Sequence, residues 1–290
     1  MKAKFFGIVL LLLYIPGGVA ADVNVYSARK EQLIKPLLDR FTKETGIEVK
    51  LLTGKADALI RRLESEGSAS PADVLITTDA GRLHRAKMMG LLQPVQTEFI
   101  TSTVPDSMRD SDNQWFGLSI RSRPIMFARN RVSPDDLSSY EDLADDRWQG
   151  RICMRSSDNI YNQSLVTSML LANGESQTLN WAAGVVDNLA RAPAGGDIDQ
   201  LKLLASGVCD VTVVNTYYLG LMLRGSDKKQ RKAAKRIGIF WPNQADRGAH
   251  INVSGAGVTA ASKNRDHAVA LLEFLLNTES QLWYAKTNFE

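Results

Sequence analysis

Three histidines and two cysteines are all that this chain of 290 residues offers among the usual nitrogen and sulfur metal ligands. His84, His250 and His267 stand far apart at no ligand-like spacing, and two lone cysteines without a histidine make a poor metal site. A zinc or copper centre is therefore not expected. The signatures of common exported hydrolases are missing as well. There is no Gly-x-Ser-x-Gly elbow, no His-Glu-x-x-His and no Ser/His/Asp set in readable context. Nor does one sign of charge dominate: 35 Lys and Arg face 32 Asp and Glu, a formal net charge of +3. The basic run Lys228-Lys229-Gln230-Arg231-Lys232 follows Asp227 and reads as a solvated helix face or partner surface, so nucleic-acid binding is not expected. Repeats and low-complexity segments are absent, and past residue 21 no apolar run approaches the length of a membrane span.

The first residues read as an export signal. Lys2 and Lys4 precede an apolar stretch over residues 5–15, Pro16-Gly17-Gly18 breaks it, and Val19-Ala20-Ala21 offers a small-residue cleavage site. Residues 1–21 are thus expected to be removed, leaving a chain that starts near Asp22 in the periplasm. No cysteine lies beside the cleavage site to carry a lipid. In an oxidising compartment the even cysteine count favours a Cys153–Cys209 disulfide, with two buried thiols as the alternative. The length suits one large or two medium domains.

Periodicity then gives the elements. Short strands are expected at residues 23–26, 47–52 and 73–78. Between and after them, helices are expected at 31–45, 57–66 and 80–89, stopped by Gly46, Gly67 and Gly90. This β-α-β-α-β-α order predicts an α/β fold with a mostly parallel sheet covered on both faces. Residues 115–127 read as one long strand, which puts Arg121 and Arg123 on a common face. Two adjacent guanidiniums repel unless an anion or nearby carboxylates lie between them, and both readings stay open. Around Ser156 a polar segment opens a helix whose backbone N–H groups suit an anion. Further helices are expected at 200–206 and 266–276, and a returning strand at 254–258.

The apolar run over residues 211–214 ends at Asn215-Thr216-Tyr217-Tyr218. Adjacent residues on a strand face opposite ways, so two tyrosines aim at one point only where the backbone turns, and Asn215-Thr216 supplies a turn or helix N-cap. Ligands in open α/β sheets sit beyond strand carboxyl ends, where this pair falls. The plainer alternative is a pair of interfacial aromatics with satisfied hydroxyls.

Taken together, these features resemble the periplasmic ferric-iron-binding proteins of ABC importers. The match spans the expected mature chain. It includes Val25-Tyr26-Ser27-Ala28-Arg29, Thr45-Gly46-Ile47, Pro71-Ala72-Asp73-Val74, Arg121-Ser122-Arg123, Ile160-Tyr161-Asn162-Gln163 and the Tyr217-Tyr218 motif. The resemblance implies a two-lobed, type II-like periplasmic binding protein, its mixed but mostly parallel sheets joined by two hinge strands. One lobe would comprise residues 22–120 and 248–290, the other 121–247. By resemblance, Tyr161, Tyr217 and Tyr218 are phenolate ligands of Fe³⁺. A carbonate-like anion would lie on Arg121 and Arg123, helped by Ser156 and Asn215. Members of the family carry His in the first loop where this chain has Lys30-Glu31, and some carry Glu where it has Thr77-Thr78-Asp79. Tyr26, Lys30, Glu31, Asp79 and Asp197 therefore stand as replacement ligands or as groups that orient the ligands. The implied partner is an inner-membrane ABC permease, and the implied state is a monomer. The family continues beyond a motif like Asn288-Phe289-Glu290, which implies a further tail packed on the second lobe. A carrier of an anion or organic solute on the same fold is the alternative, with an exported hydrolase behind it.

Overall fold

A computed structural model describes residues 22–289; the expected export signal and Glu290 lie outside them. The first strands and helices alternate as the periodicity requires: β1 (Asp22–Ser27), α1 (Lys35–Thr45), β2 (Glu48–Thr53), α2 (Ala56–Glu66), β3 (Val74–Thr77), α3 (Ala80–Met88) and α4 (Glu98–Thr103). Helix α1 starts later than expected. A 3-10 turn at Glu31–Leu33 comes first, Ile34 is not helical, and Pro36 then sits in the first turn, where its missing N–H costs nothing. Leu37, Leu38 and Phe41 form the buried stripe of α1, and Gly46 ends it at φ +76°.

The long strand expected over residues 115–127 is two strands in two sheets. β4 (Phe116–Ser122) belongs to the first sheet and β5 (Ile125–Ala128) to the second. Arg123-Pro124 lies between them, because proline donates nothing to a ladder and restricts the residue before it. The chain continues through β6 (Ile152–Cys153), α5 (Ile160–Asn173), α6 (Glu175–Asp187), α7 (Asp197–Ser206) and β7 (Val211–Val213). There follow α8 (Thr216–Arg224), α9 (Lys228–Ala234), β8 (Ile237–Phe240), β9 (Ile251–Val258), α10 (Arg265–Leu276) and α11 (Thr278–Trp283).

The first sheet has the order β2-β1-β3-β9-β4 and the second β6-β7-β5-β8. Both are mixed, and in each a single strand, β9 or β5, runs against the others. β1 runs parallel to β2 and β3, but β9 is antiparallel to β3 and β4, and β5 is antiparallel to β7 and β8. β4 runs into β5 and β9 returns after β8, so β4 and β9 carry the chain between the sheets. They lie side by side, Ser122 opposite Ile251, and the Arg123 N–H donates to the His250 carbonyl at 2.9 Å. Two adjacent crossing strands make a hinge between two lobes.

Each sheet is covered on both faces. Val74 and Ile76 of β3 pack with α1 and α10, while Leu75 packs with α2 and α3. In β5, Ile125 and Phe127 face Leu165 of α5 and Trp181 of α6, while Met126 and Ala128 face α7, α8 and α9. All four β5 residues are buried, which explains their unbroken apolar run. Helix α10 returns to the first lobe through Leu271, Leu272 and Leu275. After α11, a π-type turn (Tyr284–Asn288) brings Phe289 back to the second lobe. The Phe289 ring lies against α8 at Gly220, where a Cβ would stand 3.2 Å from it.

Cys153 and Cys209 are bonded, with Cα atoms 5.7 Å apart and 56 residues of separation. The bond joins the two-residue strand β6 to the segment two residues before β7, its parallel neighbour. Each cysteine precedes a tyrosine of the cavity described below by eight residues. Reduction is expected to lower the unfolding free energy by about 2–5 kcal/mol, because it frees a long loop in the unfolded chain. Denaturant titration of reduced and oxidised protein measures it; coincident curves would mean that β6 holds its place without the bond.

Candidate functional site

A cavity of about 230 Å³ lies between the lobes, beyond the carboxyl ends of β1, β3, β6 and β7. The second lobe gives it Tyr161, Tyr217, Tyr218 and Leu221. The first lobe gives Ala28, Arg29, Lys30, Leu33, Thr78 and Asn288, and β4 gives Arg121.

Local sequence explains how the phenols arrive there. Asn159 caps α5, its Oδ1 accepting from the Tyr161 N–H at 3.1 Å, which fixes Tyr161 in the first turn. Asn215 holds the corresponding place before α8, so Tyr217 and Tyr218 fall in that helix's first turn. There successive side chains fan through about 100° instead of facing opposite ways. The two rings lie 4.2 Å apart, tilted by 37°. Three phenols thus stand at two helix N-termini, whose partial positive charge favours a phenolate over a phenol.

Without a cation, the surroundings oppose ionisation. Burial, together with Tyr161 and Tyr218, pushes the Tyr217 hydroxyl well above its ordinary range. Burial and the Asp197 carboxylate raise Tyr218. A group that must lose such a proton does so only for a strong positive charge. Arg121 supplies part of one. It is 2% exposed, it donates to the Thr78 carbonyl, and its guanidinium lies 5.6 Å from the centre of the Tyr161 ring. Its Nε has no partner, and among the described residues no carboxylate pairs with it. A buried guanidinium in that state keeps donor capacity that an anion could use.

Arg123 is not available for the same task. It is fully buried and held by Asp197 at 3.3 Å, Asn215 Oδ1 at 3.2 Å and Asn162 Oδ1. Both guanidiniums lie within 6.0 Å of the centre of the Tyr161 ring, but only Arg121 lines the cavity. Of the two readings of the pair, carboxylate pairing fits Arg123 and an open anion site fits Arg121. Asp197 is consumed in this arrangement, since Arg155 is its second partner. Asn215 spends its Oδ1 on Arg123 rather than on the cap, while its Nδ2 is buried without a partner. Ser156 lies outside the cavity lining; its Oγ accepts from the Asp158 N–H.

The remaining candidates separate clearly. Tyr26 packs with α2, and its hydroxyl donates to Glu66 at 3.0 Å, away from the cavity. Glu31 is exposed at the start of the 3-10 turn, whereas Lys30 lines the cavity. Asp79 is buried beside the cavity but not in its lining; burial raises its carboxyl despite hydrogen bonds from Ser164 and Gly81. Among the described residues, no group of three or more His, Cys, Asp or Glu side chains converges. Sequence reading assigned no role to Arg29, Asn288 or Thr78. Arg29 and Thr78 follow the ends of β1 and β3, a position that does flag a ligand site. Arg29 Nη1 reaches Ser254 Oγ of the hinge strand at 3.2 Å, and Asn288 Nδ2 donates to the Leu33 carbonyl at 3.2 Å.

The model of the bacterial extracellular solute-binding protein family matches residues 37–289, nearly all of the described chain. The chain belongs to that family. Similar solute-binding proteins include iron uptake protein A1 of Synechocystis sp., 47% identical over 94% of this chain and 76% of that protein. The major ferric iron-binding protein of Neisseria meningitidis is 30% identical over 90% of this chain and 77% of its own. Among solved structures, that of Trichodesmium IdiA (FutA) in complex with iron and citrate superposes with a TM-score of 0.89. It is 44% identical and covers 92% of this chain and 85% of that one. The ferric binding protein from Campylobacter jejuni gives 0.87 at 39% identity, with coverages of 92% and 85%.

Proposed function

We propose that this solute-binding protein captures Fe³⁺ in the interlobe cavity through the phenolates of Tyr161, Tyr217 and Tyr218. A carbonate-like oxyanion on Arg121 completes the site, and a periplasmic monomer delivers the iron to an ABC permease in the inner membrane. The observation that carries this reading is the convergence of three phenols on one unpaired buried guanidinium. The names of the iron-binding relatives point the same way.

The chemistry is that of a small, hard cation, which prefers charged oxygen donors to thiolate or imidazole. Free tyrosine ionises only near ~10, but a trivalent ion removes the proton as metals do for bound water and thiols. Three phenolates cancel the charge of the metal. An added carbonate then leaves negative charge, and Arg121 is placed to offset it. All three tyrosines sit on α5 and α8, which pack on the second sheet. The first lobe would close over the loaded site as a lid, its Arg29, Lys30, Thr78 and Asn288 facing the cargo. Hinge closure about β4 and β9 is the motion that two lobes joined in this way permit.

Loading tests the anion. In bicarbonate-free buffer, Fe³⁺ uptake is expected to weaken about tenfold or more, as a charge-assisted pair is lost. Arg121→Ala should show the same weakening and no further response to bicarbonate. Uptake indifferent to both would remove the anion from the site.

A further inference from the structure

Tyr161 belongs to the second lobe, yet the helix that carries it is fastened to the first. Ser164, one turn further along α5, donates its Oγ proton to Asp79 Oδ2 at 2.9 Å. Asp79 stands between β3 and α3, is 2% exposed, and uses Oδ1 to cap α3 through the Gly81 N–H at 2.9 Å. The same Oδ2 takes a second donor, Asn252 Nδ2 of crossing strand β9, at 3.3 Å. One carboxylate therefore joins a first-lobe helix, the hinge and the tyrosine-bearing helix.

Its placement argues against a ligand and for a fastening. Thr78 lines the tyrosine cavity, whereas Asp79 lines a separate outer groove with Gln163 and Ser164. The nearby cations Arg82 and Arg85 in that groove are both engaged by Asp57. Capping α3 needs only Oδ1, so the bond from Ser164 adds nothing to the local fold of the first lobe. It exists only while the lobes are together. A buried carboxylate that loses a donor is left under-satisfied until water reaches it, so opening has a cost at this point.

We infer that Asp79 and Ser164 form a closing contact that holds α5, and with it Tyr161, against the first lobe and so slows release of the cargo. Asp79 is a positioning residue in this arrangement, not a metal ligand. The inference rests on the reading of the cavity as an Fe³⁺ site.

The test is the rate at which the iron-loaded mature protein surrenders Fe³⁺ to excess chelator, compared for wild type, Ser164→Ala and Ser164→Thr. Losing a hydrogen bond to a charged acceptor should speed release about tenfold in Ser164→Ala. Ser164→Thr keeps the hydroxyl and should restore the slow rate. The visible absorption band should stay at the wild-type wavelength in both, because no phenolate is touched. An iron-free sample should melt alike in all three. Release from Ser164→Ala at the wild-type rate would overturn the closing contact while leaving the iron site intact. A shifted band in Asp79→Asn would overturn it in favour of a ligand. A wild type that takes up no iron would instead overturn the site itself, and the release device with it.

Discussion

Replacing Tyr217 with Phe is expected to weaken Fe³⁺ binding by about a hundredfold or more, equivalent to roughly 3 kcal/mol. The ring remains and keeps its contact with Tyr218, so the change removes one oxygen donor and, in the iron-free state, its hydrogen bond with Tyr218. The effect should also carry a pH signature. Each ligating phenol gives up one proton when the metal binds, and burial together with Tyr161 and Tyr218 holds the Tyr217 proton more tightly than usual. Binding must therefore strengthen as pH rises, by up to about tenfold per pH unit for each proton released, and weaken on acidification. The Phe variant has one proton fewer to release, so its dependence should be shallower by about one unit of slope. Competition titrations against a chelator between about pH 6 and 8 measure both quantities. Wild-type affinity with an unchanged slope would take Tyr217 out of the ligand set.

The second large effect should fall on stability and should divide the two arginines. Arg123→Ala leaves a buried Asp197 with Arg155 alone and strips two buried amides, Asn162 and Asn215, of their donor. Removing one partner of a buried pair costs about 3–5 kcal/mol, and the remaining Arg155 places this case toward the lower end. Asn162 lies on α5 and Asn215 opens α8, so the same change should loosen both tyrosine helices. Arg121→Ala removes no carboxylate's partner and should leave the iron-free fold near wild type while impairing loading. Denaturant titration of the iron-free variants separates the two. A stable Arg123→Ala beside an unstable Arg121→Ala would reverse these assignments.

Much of this was legible before any coordinates. The stripe Leu37, Leu38, Phe41, the glycine stops and the alternation over residues 23–89 are local properties, and local properties survive folding. The tyrosine pair was legible because a strand end followed by Asn-Thr is a local turn signal. How the arginine pair divides was not legible, because the partners that hold Arg123, namely Asp197, Asn162 and Asn215, come from segments distant in sequence. The one reversed strand in each sheet, β9 and β5, takes its sense from the crossing between lobes, which no local pattern records. Arg29, Asn288 and the Asp79–Ser164 contact come from segments distant in sequence. Only tertiary packing brings them together.

The central claim is that phenolates, not carboxylates or imidazoles, hold the metal. The visible spectrum of the iron-loaded mature chain tests it most directly, since phenolate bound to Fe³⁺ absorbs visible light and the other donors do not. Wild type should develop a broad visible band that saturates at one iron per chain. Each of Tyr161→Phe, Tyr217→Phe and Tyr218→Phe should weaken or shift that band, and the triple variant should lack it. A chain that binds one Fe³⁺ tightly yet stays colourless, or a triple variant that keeps the wild-type band, would contradict the account.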